Sequence, residues 1–327
     1  MKKFVKYFMF ILMVSAVVLA GCSKSDDDEE PTPTPTAKFD VLKDYMIANN
    51  LDVSTVISGW NVMPQDVNAK APSDYFIIDI RAQEDFDAGH IEGAVHSPLA
   101  DILTIAEGST KQILVVCYTG QEAGHGVIAL RLSGYSDAQI LKWGMCGWTD
   151  DLAGKWNSNT GDAAVDHSSW IVPPGAITSP AEFADPVLES SFTEGADILA
   201  ERVDALLANG FGANVILNSA VLGNPSDYFI NNYIAATDVE HYGNITGAYR
   251  LNPFTLADGT YKNLDPSQTI VNYCWTGQTS SMLTAYMYVL GYEAKSLKWG
   301  MNAMIYSNLT GHKWNMLGLN YPVVPTK

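Results

Sequence analysis

The chain is 327 residues long, 47% hydrophobic, and sets 36 acidic residues against 19 Lys and Arg for a formal charge of −17. So acidic a chain is a poor partner for nucleic acid, and an anionic small molecule gains nothing from its overall field, so local backbone donors must capture it. Four cysteines are too few for a disulfide scaffold.

Lys2, Lys3 and Lys6 precede an uncharged apolar run from Tyr7 to Ala20. That run is shorter than the ~20 residues a membrane-crossing helix needs, and with the small residues after it reads as a secretory leader, 1–21. Leu19-Ala20-Gly21-Cys22 resembles a bacterial lipobox, which implies lipidation of Cys22; several acyl chains anchor far better than one. The plainer alternative is an ordinary thiol beside a leader-cleavage site. Ser25 to Glu30 is an acidic block and Pro31 to Thr36 a Pro-Thr repeat; neither can bury a core, so 22–37 is expected to be a semi-rigid tether. An acidic run after a lipidated cysteine also resembles a surface-export signal. The expected location is the cell envelope, lipid-anchored at the outer membrane, with surface exposure open.

Segments then recur in the same order at an offset of about 155 residues. Ser73-Asp74-Tyr75-Phe76-Ile77 returns as Ser226-Asp227-Tyr228-Phe229-Ile230, and Gly89-His90-Ile91-Glu92-Gly93-Ala94 as Gly243-Asn244-Ile245-Thr246-Gly247-Ala248. Cys117-Tyr118-Thr119-Gly120-Gln121 returns as Cys274-Trp275-Thr276-Gly277-Gln278, Leu141 to Met145 as Leu297 to Met301, and Lys155-Trp156-Asn157 as Lys313-Trp314-Asn315. The period is too long for a solenoid and fits a duplicated domain, 38–165 and 190–327, joined by a linker at 166–189.

In chain order, Tyr75 to Ile80 and Gln112 to Val116 read as buried strands, as do Tyr228 to Asn231 and Thr269 to Tyr273. Helices are expected at Ala123 to Leu132 and Ser280 to Leu290, stopped by Gly134 and Gly291. The alternation predicts an α/β fold, each half a mainly parallel sheet flanked by helices. Both Cys117 and Cys274 fall beyond the carboxyl end of a strand and before a helix, where ligands bind in such sheets and where backbone N–H groups favour a thiolate. An exported chain keeping Cys117, Cys146 and Cys274 unpaired exposes them to oxidation, so retained thiols point to a chemical role.

Across nearly the whole mature chain these residues resemble the rhodanese (thiosulfate sulfurtransferase) family. The first copy carries the fuller match: Asp79-Ile80-Arg81, Gly89 to Ala94, Val115-Val116-Cys117 and the closing segment Leu141 to Trp148. The resemblance implies that a thiolate takes the outer sulfur of a donor such as thiosulfate as a persulfide, which a thiol or cyanide then removes. Cys117 and Cys274 are the catalytic candidates. The loop residues are Tyr118, Thr119, Gly120, Gln121 and Glu122 in the first copy, and Trp275, Thr276, Gly277, Gln278 and Thr279 in the second. Gly120 and Gly277 let loop N–H groups converge on sulfur. Supporting candidates are Asp79, Arg81, His90 and Cys146.

The departures are specific. Neither loop holds the Arg or Lys that many active rhodaneses present to an anionic donor. Phosphatases of this fold need a Cys-x5-Arg loop, whereas the matching positions are Ala123 and Ser280. In the second copy Asp79, Arg81 and His90 become Asn232, Ile234 and Asn244.

Cys146 either resolves a Cys117 persulfide, pairs with it as a disulfide, or is a small buried thiol; its counterpart is Asn302. His90 and His125 either supply an imidazolium to a thiolate or fix local structure. Arg81 is expected to pair with acidic neighbours, and Trp143, Trp148, Trp156, Trp299 and Trp314 to be core. No metal site and no nucleotide cofactor are expected. Besides a sulfurtransferase, a non-catalytic sulfur- or partner-binding module and a thiol redox protein cycling Cys117 with Cys146 remain open.

Overall fold

The strands of the first half are short β-branched and apolar runs: β1 (Asn61–Val62), β2 (Tyr75–Asp79), β3 (Val95–His96), β4 (Gln112–Val116) and β5 (Gln139–Leu141). They form one sheet in the order β1-β5-β4-β2-β3, every pair parallel. β2 and β4 are buried along almost their whole length, as strands covered by helices on both faces must be. The computed structural model describes residues 35–70 and 72–326; the expected leader, Cys22 and the acidic block lie outside the described residues. Among the described residues no helix is long and apolar enough to cross a membrane.

β6 (Trp170–Ile171) lies in the stretch expected as linker. The second half contributes β7 (Val215–Ile216), β8 (Phe229–Asn232), β9 (Asn244–Ile245), β10 (Ile270–Tyr273) and β11 (Ala294–Leu297). β7-β11-β10-β8 is again all parallel and repeats the order of the first sheet, while β6 pairs antiparallel with β9. The second sheet carries buried amides in its centre: Asn231 Nδ2 donates to Asn272 Oδ1 at 3.0 Å, and Asn272 Nδ2 to Thr284 Oγ1 at 3.2 Å. Partners of this kind offset the desolvation of polar groups in a core strand.

The expected elements sit at or within two residues of their bounds. Ala123–Leu132 is the helix expected, and the second post-cysteine helix runs from Gln278 to Val289. Gly134 and Gly291 have φ of +101° and +97° at the stops, a conformation cheap only for glycine. The stretch expected as an extended tether ends earlier than 37, because a helix runs Pro35–Ala48; proline is tolerated in a first turn, where its missing N–H has no partner to lose.

The two post-cysteine helices pack against each other, and this contact places the site. Gly124 is required there, since a Cβ would come within 2.8 Å of Ser281 Oγ. One hydrophobic cluster holds Val115, Val127 and Ile128 from the first half with Ile270, Met282 and Leu283 from the second. The described residues, from Pro35 onward, belong to one compact unit. The C-terminal segment also crosses to the first half: His90 and Val324 exchange backbone hydrogen bonds of 3.0 and 2.9 Å, and Trp148 Nε1 donates to Pro322 O at 3.0 Å.

Candidate active site

β4 delivers the chain directly into Cys117. The following residues are held as a tight loop by the segment after β5: Met145 N donates to Cys117 O at 2.9 Å and Cys146 N to Tyr118 O at 3.0 Å. Gly144 has φ +61°, and a Cβ there would collide with Cys117 O. Gly120, at φ +77°, turns its N–H onto Cys117 Sγ at 3.1 Å. The loop then enters the Ala123–Leu132 helix.

The second loop is built alike. Met301 N donates to Cys274 O at 3.0 Å, Asn302 N and Nδ2 to Trp275 O at 3.2 and 2.7 Å, and Gly277 has φ +78°. The sulfur, however, is held differently: Cys274 Sγ accepts from Ser280 N at 3.3 Å, and its thiol faces Ser280 Oγ at 3.6 Å. Thus the Gly120 amide meets the first sulfur, with the backbone of Ala123 and Thr119 also favouring its anion, whereas only Ser280 meets the second.

The loops meet each other. Gln278 Nε2 donates to Thr119 O at 2.9 Å, Ser281 Oγ to Gln121 O at 2.6 Å, and Trp299 N to Gln121 Oε1 at 2.9 Å. A Cβ on Gly120 would overlap the Gln278 side chain, and one on Gly277 would overlap that of Gln121. Cys117 and Cys274 are each only 2% exposed. The repeated tryptophans close the assembly: Trp156 lies 5.1 Å from Trp143, 4.9 Å from Trp299 and 5.5 Å from Trp314 by ring centroids.

Burial, then the charge of Glu122, push the Cys117 thiol up to about 12 against the opposing pull of the backbone donors. Burial likewise lifts Cys146 to about 11; it sits wholly buried among the tryptophans. All three described cysteines are free. Glu122 itself is raised by burial, with Lys155 and Lys298 acting the other way. Thr119 Oγ1 accepts from Gln121 N at 3.4 Å and Thr276 Oγ1 from Gln278 N at 3.3 Å, while Thr279 is half-buried.

Asp79 and Arg81 form a buried pair, Nη2 to Oδ2 at 2.7 Å, and Arg81 also donates to Gly89 O at 2.7 Å. The guanidinium lies 5.2 Å behind the ring of Tyr118, whose hydroxyl donates to Asp85. His90 stacks on Phe86 at 3.8 Å with Nδ1 against Phe86 O at 2.8 Å, so it fixes that turn. His125 is fully buried against Ser281 and Phe211, and burial lowers it to about 3. It is a neutral imidazole and supplies no imidazolium to a thiolate. Trp275 stacks on His312 at 4.8 Å.

The sequence showed no cation in either loop, yet Lys155 Nζ stands 3.5 Å from the Tyr118 ring centroid. This lysine, like Lys298, belongs to a repeated Lys-Trp pair, which was the signal available for it. Gln121 and Gln278 were loop candidates by position alone; that each reaches the other half was not visible.

Residues 63–151, which contain Cys117, match the family model of the rhodanese-like domain. An uncharacterized protein of Escherichia coli K12, YibN, is 26% identical over 83 residues, covering 24% of this chain and 58% of that protein. The chain therefore spans little over half the length of the curated relative it matches. A thiosulfate sulfurtransferase from Pseudomonas aeruginosa aligns with a TM-score of 0.28 and 15% identity, over 81% of this chain and 46% of that one. A rhodanese-related protein from Thermoplasma volcanium gives 0.26 and 17%, over 28% and 92%.

Proposed function

From the premise that residues 63–151 form a rhodanese-like domain, we propose that this chain moves sulfane sulfur from a donor to a thiophilic acceptor through a persulfide on Cys117. The observation that carries it is the Gly120 N–H on Cys117 Sγ at 3.1 Å, in a loop between a central strand and a helix. With thiosulfate as donor, the thiolate attacks the outer sulfur, the S–S bond breaks, and its electron pair leaves with sulfite. The persulfide then gives its terminal sulfur to a thiolate or cyanide, and the Cys117 thiolate returns.

The thiol is buried and its ionisation opposed by burial, so uptake needs the loop to admit the donor and release the thiol proton to solvent; Lys155, over the Tyr118 ring beside Cys117, is a cation for an anionic donor. Cys274 is a second carrier or an acceptor, its sulfur lacking the loop amide that Cys117 has. The domain limits 38–165 and 190–327, the lipid anchor on Cys22 and an outer-membrane location belong to the same proposal. A non-catalytic sulfur- or partner-binding module is the second reading, favoured by the near-complete burial of both cysteines.

The test is intact mass after incubation with thiosulfate, polysulfide or mercaptopyruvate, in the wild type, Cys117→Ser and Cys274→Ser. One added sulfur, lost with cyanide and absent from Cys117→Ser, supports the carrier. No adduct from any of the three donors leaves the binding module as the better account.

A further inference from the structure

The peptide unit between Thr119 and Gly120 is held at both ends. Its N–H donates to Cys117 Sγ at 3.1 Å. Its carbonyl accepts Trp156 Nε1 at 3.2 Å and Gln278 Nε2 at 2.9 Å. A peptide is planar, so fixing the direction of its C=O fixes the direction of its N–H. Donors on the oxygen also polarise the group and strengthen the N–H as a donor.

Trp156 comes from the first half, but Gln278 comes from the loop of the second. The contact is tight enough that a Cβ on Gly120 would overlap the Gln278 amide and displace it. The arrangement is reciprocal: Gln121 Oε1 accepts the N–H of Trp299, next to Gly300, which packs on Cys274 O. Each glutamine secures backbone that shapes the cysteine loop of the other half.

We infer that Gln278 is a positioning residue for Cys117: the second half aims the Gly120 N–H at the sulfur of the first, so the Cys117 site is complete only when both halves are present. The inference rests on the sulfur-carrier reading for the identity of the anion, a thiolate or persulfide, and on the hydrogen bonds alone for the geometry. It gives the second loop a use independent of whether Cys274 carries sulfur. Burial opposes a charged sulfur at this place and the backbone donors favour it, so their aim decides how much anion the site holds.

The experiment uses the full chain labelled with carbonyl-13C threonine and 15N glycine, in which the Gly120 amide is identified by its response to Cys117→Ala. In Gln278→Met, which removes the donor at similar length, the Gly120 amide proton is expected to move to lower chemical shift. Its exchange with solvent is expected to rise about fivefold, the effect of losing about 1 kcal/mol of hydrogen bonding. Gln278→Glu keeps the shape, sets a carboxylate against the Thr119 carbonyl, and serves where Gln278→Met does not fold. A Gly120 amide unchanged in a folded variant overturns the inference. Persulfide formation on Cys117 should slow three- to tenfold with the KM for donor unchanged. A chain that takes up no sulfur yet shows the amide shift overturns the carrier reading and leaves the positioning intact.

Discussion

Replacing Asp79 by Asn strands a buried cation. Arg81 and Asp79 side chains are each 1% exposed, and the carboxylate accepts Arg81 N at 3.1 Å, Nε at 3.0 Å and Nη2 at 2.7 Å. The guanidinium would keep the Gly89 carbonyl and one neutral amide oxygen but lose its counter-charge. Breaking one side of such a pair costs about 3–5 kcal/mol, since the surviving charge stays desolvated. The double variant Asp79→Asn/Arg81→Ile reproduces what the second half holds, Asn232 and Ile234. It leaves no charge behind; what it forfeits is the bond to Gly89 and the side-chain partners of a buried amide, as Asn232 lacks them in the second half, about 1–3 kcal/mol. Urea unfolding followed by tryptophan fluorescence gives both values. A cost under about 1 kcal/mol for Asp79→Asn, or a double variant less stable than the single, would refute the stranded charge.

His125 is held at about 3 when folded, below its ordinary 6.5, by burial. The unfolded chain therefore binds the extra proton first, and the stability from keeping this ring neutral is fully present above pH 6.5 and is lost as pH falls toward 3. The loss is at most about 1.4 kcal/mol per pH unit; His125→Phe should flatten that part of the urea-midpoint profile between pH 6.5 and 4, and an unchanged slope would refute the assignment. Gly120→Ala forces a side chain into a left-handed backbone and against Gln278. It should cost at least about 1 kcal/mol, read as a lower melting temperature, while Gly134→Ala, with φ +101° but open space around it, should cost less.

Much of the fold was legible in the chain itself. The apolar runs at Tyr75, Gln112, Phe229 and Ile270 are dense enough that only a doubly covered strand satisfies them, and the repeat marked Cys117 and Cys274 as equivalent before any coordinate. Arg81 beside Asp79, two residues apart on one strand end, was likewise a local matter. The strand and ion-pair signals survive in sequence because each depends on neighbours a few residues away, and the repeat because the same short segments recur in the same order.

The site itself was decided by tertiary structure. Gln278 meets Thr119 across 159 positions and Ser281 meets Gln121 across 160, contacts that exist only because the two post-cysteine helices pack together and bring their loops face to face. Lys155 reaches Tyr118 for the same kind of reason, from a helix that follows the sheet. The protonation of Cys117 and His125 also waited on the fold: residue type sets the ordinary value, but desolvation by the whole surrounding core sets the shift. No local pattern encodes that, because burial at one point is a sum over segments brought together from both halves.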